Sequence, residues 1–160
     1  MAGDFETQFV TAGDKPALIA FSTPDWLDAV EVALKGLGYK VHTAATHSDF
    51  LVRFSQVRYQ VVVVEELFGA NNLEENSTLK ALQTMPMALR RHATVILLGN
   101  SFQTFAPMEA FQHSVHAVIN ASELFLLNQL IEKAVADNTL FLTSFRQAQA
   151  RAFSANPLGE

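Results

Sequence analysis

The sequence contains no cysteine. That excludes a disulfide framework, a cysteine-ligated zinc site, a thiolate nucleophile and an iron–sulfur cluster. Charge is scarce too: Asp, Glu, Lys and Arg make up 17% of the 160 residues. Average soluble domains carry roughly 25%, so the balance argues for a filled core and against disorder. A net charge of −5 at pH 7 disfavours non-specific attraction to nucleic acid or an anionic membrane. No apolar run approaches the ~20 residues that cross a bilayer. The acidic start, Met1-Ala2-Gly3-Asp4-Phe5-Glu6, has no basic segment leading into an apolar one and does not read as a secretory signal. There is no internal repeat and no low-complexity stretch. The expectation is one soluble, cytoplasmic domain of ordinary size.

What is present alternates between strand-like and helix-like patterns. Residues 1–15 are polar, close on the turn signal Gly13-Asp14-Lys15-Pro16, and read as an arm, with room for one short edge strand at Phe9-Val10. Ala17-Leu18-Ile19-Ala20-Phe21 is continuously apolar, as in a strand buried on both faces. Thr23-Pro24 then supplies an N-cap and a first helical residue; Leu27, Val30, Leu34 and Leu37 share one face, and Gly36 and Gly38 end the helix. Val41–Ala45 predicts a second strand, and Ser48 the cap of a helix turning Leu51, Phe54 and Val57 inward. Val61–Val64 is the strongest strand pattern. Leu79, Leu82 and Leu89 mark a helix that Pro86 must break or kink. Val95–Leu98, a short helix over Phe105 to Phe111, a strand over Val115 to Ile119 and a long helical pattern from Glu123 to about Phe153 follow. Such alternation predicts a parallel sheet covered on both faces. Right-handed crossovers favour a doubly wound α/β sheet of order 2-1-3-4-5.

Few residues offer chemistry. Histidines 42, 47, 92, 113 and 116 are scattered, and His113-x-x-His116 lacks a nearby acid in sequence, so no metal site is expected. Gly99-Asn100-Ser101 begins like a nucleophile elbow, but Gln103 stands where the second glycine belongs. Gly36 and Gly38 follow a helix and do not form a phosphate loop. Arg90-Arg91-His92 reads as a basic cluster closing a helix, where positive charge suits the dipole. No catalytic residue, metal ligand or cofactor is expected.

The element spacing over about residues 16–138 resembles the receiver domains of two-component response regulators. Such a receiver has an acidic pair after the first strand, an aspartate phosphoacceptor after the third, a Thr or Ser after the fourth and a lysine after the fifth. Laid on this chain, the acidic-pair positions hold Phe21 and Ser22, and the acceptor position holds Glu65. The hydroxyl position falls on Gly99 or Asn100, and the lysine position on Asn120, followed by Ala121. The resemblance implies a bacterial signal-transduction module whose phosphorylation residues are all replaced: a pseudo-receiver working through protein–protein contact, not an enzyme. Magnesium-assisted phosphoryl transfer would have only Glu65, Glu66 and Asp25 to draw on. Glu65 is expected to be an ordinary solvated acid at a strand end, with a fixed mimic of the phosphorylated state as the alternative.

Two further expectations concern surfaces. Phe102, Phe105 and Phe111 are either core or the partner-facing side of the domain. Leu124, Leu127, Ile131 and Val135 suit a last helix packed on the sheet, and the pattern continues past 138 through Leu142, Phe145, Gln149 and Ala152, with Leu140 and Phe141 beside it. Residues 139–160 are thus expected to form a helical extension that makes a homodimer through Phe141, Leu142 and Phe145. The competing reading takes Asp137-Asn138-Thr139 as a break and a new cap, with a second helix folding back over the domain. A small-molecule site in the crevice at the carboxyl ends of the strands, using Ser22, Glu65 and Ser101, is the alternative function.

Overall fold

A computed structural model describes residues 9–155. Most of the expected arm and the last five residues of the tail lie outside them. The expected edge strand at Phe9-Val10 does not form: this stretch is irregular, tied down where Lys40 Nζ donates to the Phe9 carbonyl.

Five strands make one all-parallel sheet in the order β2-β1-β3-β4-β5. They are β1 (Pro16–Ala20), β2 (Lys40–Ala44), β3 (Val61–Glu65), β4 (Thr94–Gly99) and β5 (Ala117–Asn120). The helices between them are α1 (Pro24–Gly36), α2 (His47–Gln56), α3 (Ser77–Thr84), α4 (Met87–Arg90) and α5 (Pro107–Gln112), and α6 (Leu127–Ala155) follows β5 through a 3₁₀ segment at Ala121–Leu126. The fold is the expected doubly wound one. Every residue of β1, β3 and β4 is buried, which is why these strands read as unbroken apolar runs.

Successive side chains divide between two cores. Leu18, Val62, Val64, Val95 and Leu97 pack with Phe50, Phe54, Tyr59 and Leu82 on one face, while Ile19, Val61, Val63, Ile96 and Leu98 pack with Val30, Leu34, Leu127 and Ile131 on the other. Burying each large side chain is worth about 1.5–3 kcal/mol. The α1 and α6 helices therefore cover one face, and α2 and α3 the opposite face.

Local chemistry corrects several expectations. Thr46, not Ser48, caps α2: its Oγ1 accepts the Asp49 amide at 3.1 Å. That shifts the inward face to Phe50 and Phe54 and leaves Leu51 exposed. Pro86 does break the pattern, and Leu89 beyond it is exposed. Arg90 is not part of a surface basic cluster. It is buried, and its guanidinium donates to the Leu82 carbonyl at 2.5 Å and the Ser114 carbonyl at 2.6 Å, stitching α3 to the α5–β5 turn. Burial lowers its pKa. Phe102 is core, Phe105 is half-buried at a φ of 60° before α5 begins, and Phe111 is exposed. The break near Asn138 that the competing reading requires is absent: α6 is continuous, and Asn138 is buried with its Nδ2 donating to Thr94 Oγ1 at 2.9 Å.

Candidate functional site

The crevice at the carboxyl ends of β1, β3 and β4 collects the polar residues that the sequence singles out. Glu65 ends β3. Counting in twos from Val61 places it on the α1 face of the sheet, and there it meets the start of α1. Its Oε2 accepts the Ser22 amide and, at 3.1 Å, the Thr23 amide, and its Oε1 accepts the Thr23 hydroxyl. Glu65 is 3% exposed, so the expectation of a solvated acid is overturned. The reason lies in α1. The Ser22 and Thr23 amides of the loop that leads into it need an acceptor, and its dipole favours negative charge at that end. Thr23 makes no side-chain cap of its own, because its hydroxyl is given to Glu65. Phe21 is buried in the α1-side core, whereas Ser22 is exposed and its Oγ accepts the Gly69 amide at 2.9 Å. Asp25 lies exposed on the first turn of α1.

Glu66, the next residue, turns to the other side. Its backbone amide extends the β3–β4 ladder to the Leu98 carbonyl at 2.8 Å, and its Oε2 accepts the Ser101 amide at 3.3 Å. The side chain lies against Gly99, where an added Cβ would come within 2.1 Å of Glu66 Oε2. Gly99 is therefore required by the carboxylate beside it. Behind both acids stands Asn76, fully buried. Its Nδ2 donates to the Glu65 and Glu66 carbonyls at 2.9 and 3.0 Å, and its Oδ1 caps α3 through the Leu79 amide at 3.1 Å. That one side chain fixes the backbone of the acidic pair and the helix that follows it.

Asn120 ends β5. Its Nδ2 donates to the Phe102 carbonyl at 2.7 Å and the Asn100 carbonyl at 3.4 Å, while its Oδ1 accepts the Ser122 amide at 2.9 Å. A neutral amide thus holds the β4–α5 loop in place. Above these groups opens a crevice of about 600 Å³ whose walls include Ser22, Trp26, Glu65, Glu66, Asn100 and Ser101. The structure therefore brings together Ser22, Glu65 and Ser101 as the small-molecule alternative requires. Asn120 closes the loop beside the crevice without lining it. Trp26 and Asn76 went unremarked in sequence, and Glu66 was named only as a carboxylate within reach of a magnesium site. Gly99 directly after a buried strand was the available signal for Glu66, and Asn76-Ser77-Thr78 before an apolar run the signal for the cap.

The histidines are distributed as structural groups. His42 Nδ1 meets the Tyr59 hydroxyl at 2.7 Å, His47 Nδ1 accepts the Thr78 amide at 3.1 Å, and His116 Nδ1 accepts the Val95 amide at 2.9 Å. Among the described residues no three His, Asp or Glu side chains converge as metal ligands. No helix among them is long and apolar enough to cross a membrane.

No family model matches the sequence, and no curated protein does either. Solved structures do match in fold. A response regulator from Thermotoga maritima superposes with a TM-score of 0.61 at 14% identity, over 77% of this chain and 98% of that one. A receiver domain protein from Methanospirillum hungatei gives 0.61 at 16% identity, over 79% and 98%. A chemotaxis response regulator of Vibrio cholerae gives 0.57 at 14%, over 76% and 98%. The chain has the fold of a response-regulator receiver, and the resemblance read from its sequence stands in three dimensions.

Proposed function

We propose that this chain is a pseudo-receiver: a regulatory signalling module that accepts no phosphoryl group, catalyses no reaction and acts by protein–protein contact as a homodimer. One observation carries the reading. Phosphoryl transfer to a carboxylate needs a nucleophilic oxygen open to the donor and a magnesium ion to neutralise charge. At the acceptor position, both oxygens of Glu65 are engaged by Ser22 and Thr23. Beside it, the acidic-pair positions hold a buried phenylalanine and a serine. Where a lysine would reach a phosphoryl oxygen, Asn120 is tied to loop carbonyls.

The same geometry disfavours Glu65 as a mimic of the phosphorylated state. Its negative charge is spent on the start of α1, not on the loop after β4. Glu65 fastens the β1–α1 loop, and Glu66 with Asn120 fastens the β4–α5 loop. With both loops pinned from the strand ends, the module is held in a single state and presents a constant surface. Incubation with acetyl phosphate and magnesium, followed by intact-mass measurement, is expected to leave the mass unchanged. A stoichiometric gain of one phosphoryl group, labile to hydroxylamine, would overturn the reading.

The crevice supports a second reading. A recess of about 600 Å³, with apolar walls and a few polar groups, falls within the ~300–1,000 Å³ of small-ligand sites. Open α/β sheets bind ligands at this end of their strands. On that reading the module is non-catalytic but ligand-responsive.

A further inference from the structure

Glu66 is 8% exposed and yet poorly satisfied. Its Oε2 has one long hydrogen bond, 3.3 Å from the Ser101 amide, and its Oε1 has none among the described residues. A carboxylate largely withdrawn from solvent ordinarily collects several donors, whereas Glu66 Oε1, which stays open to the crevice, takes none from the described residues. The chain nonetheless makes room for it: Gly99 lacks the Cβ that would displace the carboxylate. Glu66 and Glu65 both line the crevice, and no basic side chain of the described residues does. Two acids in a recess with low-dielectric walls concentrate cations and repel phosphates, carboxylates and nucleotides. Trp26 forms part of the same wall, offering an aromatic face to a cation or to the stem that carries it. Asn71 and Asn100 add amide groups at the rim.

We propose that the crevice binds a small organic cation, bearing a primary ammonium or guanidinium group, with Glu66 as its counter-ion and Trp26 as its apolar wall. The proposal rests on the second reading above and names its ligand class. An ammonium or guanidinium supplies both the charge and the N–H donors that Glu66 Oε1 lacks, in the strongest class of hydrogen bond. A bare divalent cation fits less well. Magnesium keeps several waters but is still held by one or two well-placed carboxylates. Here Glu65 is already committed to Ser22 and Thr23, which leaves Glu66 alone, with no group of three acids or histidines among the described residues.

Trp26 is the only tryptophan in the chain, so its fluorescence reports the site directly. The intact protein is titrated with agmatine and with phenethylammonium, and in parallel with neutral 2-phenylethanol and with magnesium chloride at matched ionic strength. A saturable Trp26 response to at least one of the two cationic probes is expected, with little from the alcohol or magnesium. In Glu66→Gln, of unchanged far-ultraviolet dichroism, affinity is expected to fall at least about tenfold. Gly99→Ala, which retains the acid but displaces it, is expected to weaken binding as well. A response to the alcohol as strong as to the cations, persisting in Glu66→Gln, would leave the crevice a ligand site and overturn the cation assignment. A response to magnesium as strong as to the amines would overturn it too. Silence of Trp26 toward all probes would overturn both this proposal and the ligand-site reading beneath it.

Discussion

A carboxylate that accepts two backbone amides and a hydroxyl cannot be removed without stranding its donors. In Glu65→Ala the Ser22 and Thr23 amides at the head of α1 lose their acceptor. Water reaches them in part, since Ser22 is exposed, so the cost is expected near about 2 kcal/mol of unfolding free energy. Glu65→Gln can rotate its carbonyl toward the amides and let its NH₂ donate to the Thr23 hydroxyl. It loses only the charge assistance and is expected to cost about half as much. Urea denaturation of the two variants checks the order, and equal costs near zero would mean that Glu65 is dispensable. His116 offers a second test at this scale. Burial, then the nearby Arg90 guanidinium, lower its pKa from 6.5 to about 4. The folded state therefore binds the proton more weakly than the unfolded chain. The stability this represents is full above pH 6.5 and is lost as pH falls through about 4. Much of the residue is still wet, so the loss is smaller than an enclosed ring would give. The fall in urea midpoint between neutral pH and about pH 4.5 is expected to be less steep in His116→Asn, which keeps an acceptor for the Val95 amide but cannot titrate. Parallel curves for the two proteins would remove His116 from the account.

Among the elements, α6 illustrates how a polar residue can set a register. Asn138 sits in the middle of the helix with its amide on Thr94 at the start of β4. Asn138→Leu alone leaves the Thr94 hydroxyl buried without its partner and is expected to cost about 1–2 kcal/mol, whereas Asn138→Leu with Thr94→Val is expected to be near neutral. The coupling in a double-mutant cycle should be about 1 kcal/mol or more; strictly additive costs would show the pair to be independent. The same residue marks a limit of sequence reading. Asp137-Asn138-Thr139 has the composition of a helix break, and only the position of Thr94, 44 residues earlier in the chain, makes Asn138 an interior residue. Strand order and the two cores were legible because burial on both faces writes itself as unbroken Val, Ile and Leu. The crevice was legible in part. Ser22, Glu65 and Ser101 followed from their places after strands, but the burial of Glu65 against the loop before α1 was missed, although alternation from Val61 through Val63 places it on that face. Glu66 and Trp26 were not legible, because their meaning depends on which loop each side chain leans over, and that is set by Gly99 and by the α1 axis. Arg90 misled for a related reason: a basic residue at a helix end satisfies the dipole equally well outside or inside, and only the carbonyls of Leu82 and Ser114 decide.

For the molecule as a whole, the open question is what covers the end of α6. The seventeen residues after Asn138, 139–155, run on for about 25 Å past the contact with the start of β4. The first turns still touch the domain, with Phe145 beneath the Arg91 guanidinium, 5.3 Å from its ring centre. Yet Phe141 remains 67% exposed and Phe153 81%. With an aromatic side chain offering about 150–250 Å², Phe141, Phe145 and Phe153, at 67%, 40% and 81% exposed, together leave roughly 280–470 Å² in water. That matches the largest apolar patch of an ordinary monomer before the neighbouring Leu140 and Met87 are added. A two-fold pairing of this helix with its copy doubles the area. With the polar residues between, it reaches the ~1,200 Å² at which specific interfaces begin. Isologous contact is the simplest arrangement, since one patch then serves both partners. The intact chain is therefore expected to run as a dimer in light scattering at tens of micromolar. Leu142 and Phe145 also contact their own domain, so Leu142→Glu/Phe145→Glu risks unfolding it. Phe141→Glu/Phe153→Glu changes positions that are mostly exposed, Phe141 meeting the domain only at one edge, and is expected to give a folded monomer with a thermal midpoint little changed at low concentration. A monomeric wild type, or a dimer indifferent to the Phe141 and Phe153 substitutions, would place the contact elsewhere and leave α6 a free projection.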